Sequence, residues 1–170
     1  MSGKISLALA IVGGMLAIAL IARSADNAPP PPVEHANLAF TLEDMAGAKV
    51  DLSKFAGKAL VINFWATWCG PCRLEMPQLV SLAAKFKDRG LTIVGVSPDD
   101  KADAIRAFAE EYKVTYPMLV GLGQDAFLAS AGYEGVLPLS ILIRADGTIA
   151  ERIVGIKTTD EWERRILALF

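Results

Sequence analysis

The sequence has few of the residues that bind metals or stabilise disulfide-rich folds. Its 170 residues include two cysteines and one histidine. Two cysteines allow a single bridge, which is too few for a fold that depends on disulfides. Structural zinc sites need four ligands, and His35 lies in a proline-rich stretch far from Cys69 and Cys72. We therefore expect no metal and no other cofactor, and the two cysteines become the main chemical feature of the chain.

The sequence also lacks an excess of either charge. It has 17 lysines and arginines against 19 aspartates and glutamates, a net charge of −2. The basic residues are scattered rather than clustered, so the electrostatic signature of a nucleic-acid-binding protein is missing. We expect no nucleic-acid partner.

A long apolar run is present at the N-terminus. Residues 5–22 contain no charge, with Lys4 before them and Arg23 after them. The run is just long enough to span a bilayer and is longer than the apolar region of most cleaved signal peptides. Lys4 favours a cytoplasmic N-terminus. We predict that residues 1–23 are a transmembrane signal-anchor; the alternative is a signal peptide cleaved near Ala22-Arg23-Ser24. Under both predictions the rest of the chain is exported.

The next segment has the composition of a linker. Residues 24–37 contain four consecutive prolines, Pro29 to Pro32, among alanine, aspartate and asparagine. Such a stretch favours an extended polyproline conformation and acts as a semi-rigid spacer. We therefore place the folded domain at residues 38–170. This length is sufficient to bury a core without stabilising disulfides.

The domain alternates between strand-like and helix-like segments. Strands are predicted at 38–42, 49–52, 59–65, 91–96, 116–120, 139–143 and 148–154. Helices are predicted from Cys69 to about Lys87, from a cap at Asp99 or Asp100 to Tyr112, at 124–131, and at 158–169 with a Thr-Thr-Asp-Glu cap. Strands that alternate with helices predict parallel crossovers, and the last two strands form a hairpin. The expected fold is a three-layer α/β/α sandwich with a mixed central sheet.

The helix after the cysteines has an apolar face at helical spacing. Its members, predicted to face the sheet, are Leu74, Leu79, Leu82, Ala83 and Phe86. Pro77 lies inside this helix and predicts a kink.

Both cysteines lie where a buried strand meets that helix. The stretch reads Phe64-Trp65-Ala66-Thr67-Trp68-Cys69-Gly70-Pro71-Cys72-Arg73-Leu74-Glu75. A helix start favours an anion, so the Cys69 thiol should titrate below its free value of about 8.5. Cys69 is predicted to be the more exposed, attacking thiolate, and Cys72 the resolving thiol that can close a disulfide with it. Haem attachment would need histidine after the second cysteine, where this chain has Arg73.

Three further residues near the cysteines are candidates for the site or its core. Trp65 is predicted to pack in the core, whereas Trp68 is predicted to form apolar contact surface for a partner. Glu75 lies three residues after Cys72 on the same helical face. It is either an acid that exchanges protons with the thiols or a solvated carboxylate at the helix start.

The motif from Phe64 to Pro77 resembles that of the thioredoxin superfamily, and within it the membrane-anchored TlpA/ResA/DsbE (CcmG) reductases. The resemblance covers residues 38–170. It implies a thioredoxin-like fold with an N-terminal hairpin extension and a βα insertion. It also implies that Val136-Leu137-Pro138 forms the loop whose cis proline faces the disulfide, so that Leu137 offers backbone hydrogen bonds to a partner.

The sequence differs from the pattern of the resembled family at two places. Thioredoxins carry a buried aspartate where this chain has Asn63, which cannot exchange a proton. The TlpA/ResA branch instead places a glutamate where Glu75 stands, and this implies that Glu75 is the acid. The second departure is Leu139-Ser140 after the proline, where Thr-Thr is frequent, so the surface that faces a partner is altered.

The function implied is an exported thiol–disulfide oxidoreductase at the bacterial inner membrane, single-pass, with its catalytic domain on the periplasmic side. The Gly-Pro dipeptide between the cysteines resembles that of reducing thioredoxins. Expected partners are disulfide-containing exported proteins, such as apocytochrome c or oxidase assembly factors, and a membrane thiol reductase of the DsbD/CcdA type. Two alternatives remain: a peroxiredoxin-like peroxidase, although the chain lacks a Pro-x-x-x-Thr-x-x-Cys nucleophile, and a non-enzymatic copper or thiol binding module.

Overall fold

The computed structural model describes residues 32–170. The predicted anchor at residues 1–23 and most of the predicted linker lie outside the described residues. No helix within residues 32–170 is long and apolar enough to cross a membrane.

The end of the predicted linker is attached to the domain. The Ala36 N–H donates to the carbonyl of Gly147, and His35 forms a bridge with Thr148. The Glu34 carboxylate accepts two hydrogen bonds from the Arg152 guanidinium, at 2.5 and 2.7 Å. The packed part of the chain therefore begins before residue 38.

Seven strands and four helices form the described domain. The strands are β1 Thr41–Asp44, β2 Lys49–Asp51, β3 Ala59–Phe64, β4 Leu91–Ser97, β5 Met118–Val120, β6 Leu139–Ile143 and β7 Ile149–Val154. The helices are α1 Gly70–Phe86, α2 Ala102–Tyr112, α3 Asp125–Ser130 and α4 Thr159–Leu167. Two short 3₁₀ turns, Leu52–Phe55 and Lys87–Arg89, follow β2 and α1. The predicted capping box at the start of α4 is present, between Thr158 and Glu161.

The strands form one mixed sheet in the order β2-β1-β5-β4-β3-β6-β7. β3, β4 and β5 are parallel, and the other neighbouring pairs are antiparallel. β3 is buried along its whole length, as its continuous apolar sequence predicts. The mixed sheet and the hairpin at each edge confirm the predicted α/β architecture.

The two faces of the sheet are covered unequally. Helices α1, α2 and α4 pack on one face, where Val61 and Trp65 point. The other face, with Leu60 and Ile62, is covered by the short helix α3 and the 3₁₀ turn at Leu52–Phe55. Neighbouring residues of a strand point to opposite faces, so β3 contributes to both cores. The structure thus has the three predicted layers, with most helical mass on the face that carries α1.

Two predictions about local structure are wrong. Leu74 is 69 % exposed because α1 turns Cys72 and Glu75 toward the sheet, and a residue between them cannot share that face. Neither Asp99 nor Asp100 caps α2: its N-cap is Lys101, without a side-chain hydrogen bond. The Asp100 carboxylate instead binds the loop that precedes Cys69.

Candidate active site

The sheet delivers the two cysteines to the N-terminus of α1. After β3, a tight turn is closed by the Cys69 N–H, which donates to the carbonyl of Ala66 at 3.2 Å. Helix α1 then begins at Gly70, with Cys69 as its N-cap. Pro71 lies in the first helical turn, where its missing N–H removes no helical hydrogen bond.

Cys69 and Cys72 form the disulfide that their spacing allows. The S–S distance is 2.06 Å and the Cα atoms are 5.3 Å apart. The Cys72 N–H donates to the Sγ of Cys69 at 3.2 Å. The Cys69 sulfur therefore lies at the end of the helix where free N–H groups stabilise an anion.

The structure does not show the predicted difference in exposure between the two cysteines. Cys69 is 3 % exposed and Cys72 is 2 % exposed in this oxidised form. What separates them is position: Cys69 accepts a helix N–H at the cap, whereas Cys72 lies inside the first turn, facing the core. The prediction that Cys69 is the attacking cysteine therefore rests on its position at the N-cap of α1.

Glu75 is buried behind Cys72, with 1 % of its surface exposed. It lies one helical turn after Cys72, on the face of α1 that packs on the sheet. Its Oε1 accepts a hydrogen bond from the Trp162 indole Nε1 at 3.2 Å, and its Oε2 accepts a longer one from Asn63 Nδ2 at 3.4 Å. The alternative of a solvated carboxylate at the helix start is therefore wrong.

Burial raises the pKa of Glu75 from its ordinary value of 4.5 to about 7. The hydrogen bonds from Trp162 and Asn63 and the positive charge of Lys157 oppose this rise without cancelling it. A carboxyl group whose pKa lies near neutral pH can both accept and donate a proton there. Its environment is that of a proton-exchanging group.

Asn63 connects Glu75 to the strand that follows the predicted cis proline. Its Nδ2 also donates to Ser140 Oγ at 2.9 Å. The two residues are directly opposite each other in the pairing of β3 with β6. Both departures from the resembled family, Asn63 and Ser140, thus belong to one buried polar cluster around Glu75.

The peptide bond between Leu137 and Pro138 is cis, as the resemblance implied. Leu139 is directly opposite Phe64, so Pro138 lies at the same end of the sheet as Cys69. The Pro138 carbonyl accepts a hydrogen bond from the Gly155 N–H at 2.9 Å. Leu137 is half-buried and packs on both cores.

The two tryptophans of the motif have different environments, as predicted. Trp65 is fully buried and packs on Phe108, with ring centroids 4.4 Å apart. Trp68 is 66 % exposed beside Cys69. Trp68 is therefore accessible to a partner, whereas Trp65 supports the core.

Sequence reasoning missed four residues that complete this end of the domain: Ser140, Lys157, Trp162 and Asp100. Two of them carried a signal, because Ser140 interrupts an apolar strand and Asp100 follows one. The donor role of Trp162 depends on a contact with Glu75 across 87 positions of the sequence. Residues 32–170 hold no group of three or more His, Cys, Asp or Glu side chains placed to bind a metal ion.

Known proteins resemble this chain in sequence and in structure. Residues 33–152 match the AhpC/TSA family. The thiol-disulfide oxidoreductase ResA of Bacillus anthracis is 36 % identical over 124 residues, 73 % of this chain and 70 % of that protein.

Two solved structures have the same fold. A secreted Mycobacterium tuberculosis disulfide oxidoreductase homologous to E. coli DsbE superposes with a TM-score of 0.70 at 28 % identity, over 78 % of this chain and 97 % of that one. A thiol:disulfide interchange protein of the thioredoxin family from Chlorobium tepidum superposes with a TM-score of 0.75 at 25 % identity, over 83 % of this chain and 99 % of that one. With its disulfide at a strand–helix junction, this chain belongs to the thioredoxin-like AhpC/TSA family and is a thiol-disulfide oxidoreductase of the ResA and DsbE type.

Proposed function

We propose that this enzyme is an exported, membrane-anchored reductase that transfers two electrons from Cys69 and Cys72 to the disulfides of partner proteins. The observation that carries this proposal is the buried Glu75, whose pKa is about 7, one helical turn behind Cys72. A reductase must deprotonate its resolving thiol inside the enzyme–partner complex. A buried base tuned to neutral pH meets that need.

The first step is attack by the reduced enzyme. The Cys69 thiolate, stabilised at the N-terminus of α1, forms a bond to one sulfur of the partner's disulfide. The S–S bond of the partner breaks, and its second sulfur leaves as a thiolate that takes up a proton. Trp68 and the backbone of Leu137, beside the cis Pro138, are the surfaces that hold the partner segment during this exchange.

The second step releases the partner. The Cys72 thiol transfers its proton to the Glu75 carboxylate, and the resulting thiolate attacks the Cys69 sulfur. The mixed disulfide breaks, and the second partner sulfur leaves as a thiolate, which takes a proton. The partner's disulfide has become a dithiol, and Cys69 and Cys72 have become the disulfide seen in the structure.

The reducing direction is supported by the Gly70-Pro71 pair between the cysteines. Reducing thioredoxins with this dipeptide have a potential of about −270 mV, well below that of oxidising members of the superfamily. An oxidising compartment would leave such a pair oxidised, so a membrane thiol reductase of the DsbD/CcdA type must return two electrons to it. We assign the chain to cytochrome c maturation or respiratory oxidase assembly in the bacterial periplasm.

Trapping of the mixed disulfide tests the chemistry. The reduced Cys72→Ser variant should accumulate an adduct with oxidised insulin on Cys69 that dithiothreitol releases, whereas Cys69→Ser should form none. The wild-type protein should reduce insulin with dithiothreitol as donor. An adduct on Cys69→Ser, or peroxide consumption faster than insulin reduction, would contradict the proposal.

Substitution of Glu75 by glutamine tests the proton transfer. Glutamine keeps the shape of the side chain and cannot accept a proton, so resolution of the mixed disulfide should slow. The pH dependence of alkylation at Cys72 should also change, because the neighbouring charge no longer titrates near pH 7. If the alkylation profiles of both cysteines stay the same, Glu75 has no part in the exchange.

Cell fractionation tests the location. The full chain should stay with the inner membrane after alkaline carbonate extraction, and the domain should be cut by a protease added to spheroplasts. A variant that lacks residues 1–23 should remain in the cytoplasm. Recovery of a chain shortened at its N-terminus in the soluble periplasmic fraction would favour the cleaved signal peptide instead.

A further inference from the structure

The turn that carries Trp68 and leads to Cys69 is held by residues outside the cysteine motif. Thr67 is the second residue of this turn, which the Cys69 N–H closes on the carbonyl of Ala66. The Asp100 carboxylate accepts hydrogen bonds from the Thr67 N–H at 2.8 Å and from the Thr67 hydroxyl at 2.7 Å. One side chain therefore holds both donors of Thr67.

Asp100 is itself fixed in place. It is 8 % exposed and lies just after β4. The hydroxyl of Ser97 donates to its Oδ2 at 2.7 Å, and the Asp100 N–H donates back to Ser97 Oγ at 3.2 Å. Burial of a carboxylate costs free energy unless hydrogen bonds compensate for the lost water. The three donors to Asp100 supply that compensation and fix the orientation of its side chain.

The third polar group of Thr67, its carbonyl, is held by a different side chain. Its carbonyl accepts a hydrogen bond from the Arg73 guanidinium at 3.4 Å. Arg73 also pairs with Glu111 at 3.2 Å and lies over the rings of Phe108 and Tyr112, all on α2. The N–H and hydroxyl of Thr67 are thus bound by Asp100 after β4, and its carbonyl is bound by Arg73 of α1, which in turn contacts α2.

We infer that Asp100 is a positioning residue that acts through Thr67 to hold the Cys69 sulfur at the N-terminus of α1 when the disulfide is open. In the oxidised protein the S–S bond itself ties Cys69 to the first turn of the helix. Of the polar contacts that hold the Cys69 sulfur within residues 32–170, those that would remain once the bond is reduced are the hydrogen bond from the Cys72 N–H to the Cys69 sulfur and the turn that holds the Cys69 backbone. The contacts of Asp100 and Thr67 then keep the thiolate against the helix N–H groups that stabilise it.

A positioning role of Asp100 and a simple effect of its charge predict opposite shifts of the pH midpoint for alkylation of Cys69. The charged groups bonded to this turn are Asp100 and Arg73, Glu111 pairs with Arg73, and Glu75 lies behind Cys72. If Asp100 acted only as a negative charge, Asp100→Asn would favour the Cys69 thiolate and move the alkylation midpoint to lower pH. If it positions the turn, loss of its bonds moves the midpoint to higher pH.

The experiment measures the pH profile of iodoacetamide alkylation at Cys69 in the reduced protein with Cys72→Ser as background. Asp100→Asn and Thr67→Val should both raise the midpoint, with about a threefold lower rate below it for each half-unit of rise. Thr67→Ser, which keeps the hydroxyl, should restore the profile toward that of the parent. Asp99→Asn removes the same charge from the neighbouring exposed residue and should leave the profile unchanged.

The outcomes distinguish a positioning role of Asp100 from a role in stability alone. A lower melting temperature with an unchanged midpoint, or a midpoint that falls, would overturn the positioning role. If Asp100→Asn does not fold, Thr67→Val decides alone, because it removes one hydroxyl and keeps the N–H contact. The inference rests on the proposed role of Cys69 as the attacking thiolate: faster alkylation of Cys72 than of Cys69 in the wild type would refute that role instead.

Discussion

Both faces of the central sheet bury apolar side chains, but they differ in the polar residues that are buried with them. The face under α3 buries a cluster of apolar residues, among them Phe64, Phe127 and Ile141. The face under α1 and α4 is also mainly apolar, but it encloses Glu75, Asn63 and Ser140. Burial of a carboxyl group costs stability, whereas burial of a phenyl ring adds to it. Both faces therefore stabilise the fold through their apolar residues, and the face under α1 and α4 also carries the cost of burying Glu75.

The largest expected effect is on the apolar face. Phe127 is 1 % exposed and packs on Phe40 and Phe64, with centroids 5.4 and 6.0 Å away. Phe127→Ala should lower the free energy of unfolding by about 3–5 kcal/mol, because it leaves a cavity. Denaturant unfolding measures this loss. The pH profile of cysteine alkylation in the folded protein should not move, and a shift would mean that the faces are coupled.

The next effect is on the face that carries the site. The pKa of Glu75 is raised from 4.5 to about 7, so the folded protein binds a proton more tightly than the unfolded chain. The contribution of Glu75 is therefore most favourable below pH 4.5 and is lost as the pH rises through about 7. The loss amounts to about 3 kcal/mol.

Comparison with Glu75→Gln isolates this contribution. The oxidised variant should become more stable than the wild type as the pH is raised from 4.5 to 8, by about 3 kcal/mol. Exposed carboxyls with lowered pKa values, such as Asp51 and Asp146, act in the opposite sense in both proteins and cancel in the difference. A stability difference that is independent of pH would show that folding leaves the pKa of Glu75 unchanged.

The smallest effect compares two buried tryptophans. The Trp162 indole N–H donates to Glu75, whereas that of Trp65 has no hydrogen-bond partner within residues 32–170. Trp162→Phe should raise the pKa of Glu75 above about 7 and cost about 1–3 kcal/mol more at pH 8 than at pH 5. Trp65→Phe, the matched control, should show the same cost at both pH values. Equal pH dependence in the two variants would contradict the role of Trp162.

Features that depend on neighbouring residues could be predicted well. The strand–helix junction at the cysteines, the hairpin around Gly147 and the capping box at Thr158 are local patterns, and the structure contains all three. The predictions failed where a distant contact competed with a local preference. Asp100 could have capped α2, yet it binds Thr67 because two donors of that residue face it.

The sequence by itself determined that two cysteines at a helix start would exchange electrons, and it placed a glutamate on their face of the helix. Spacing along α1 is a local property and can be counted. Only the tertiary structure decided what that glutamate can do. Asn63, Ser140 and Trp162 come from three separate elements, and the sheet and α4 bring them around Glu75. The pKa of a carboxyl group depends on how fully water is excluded from it, and that exclusion exists only once distant segments have packed together.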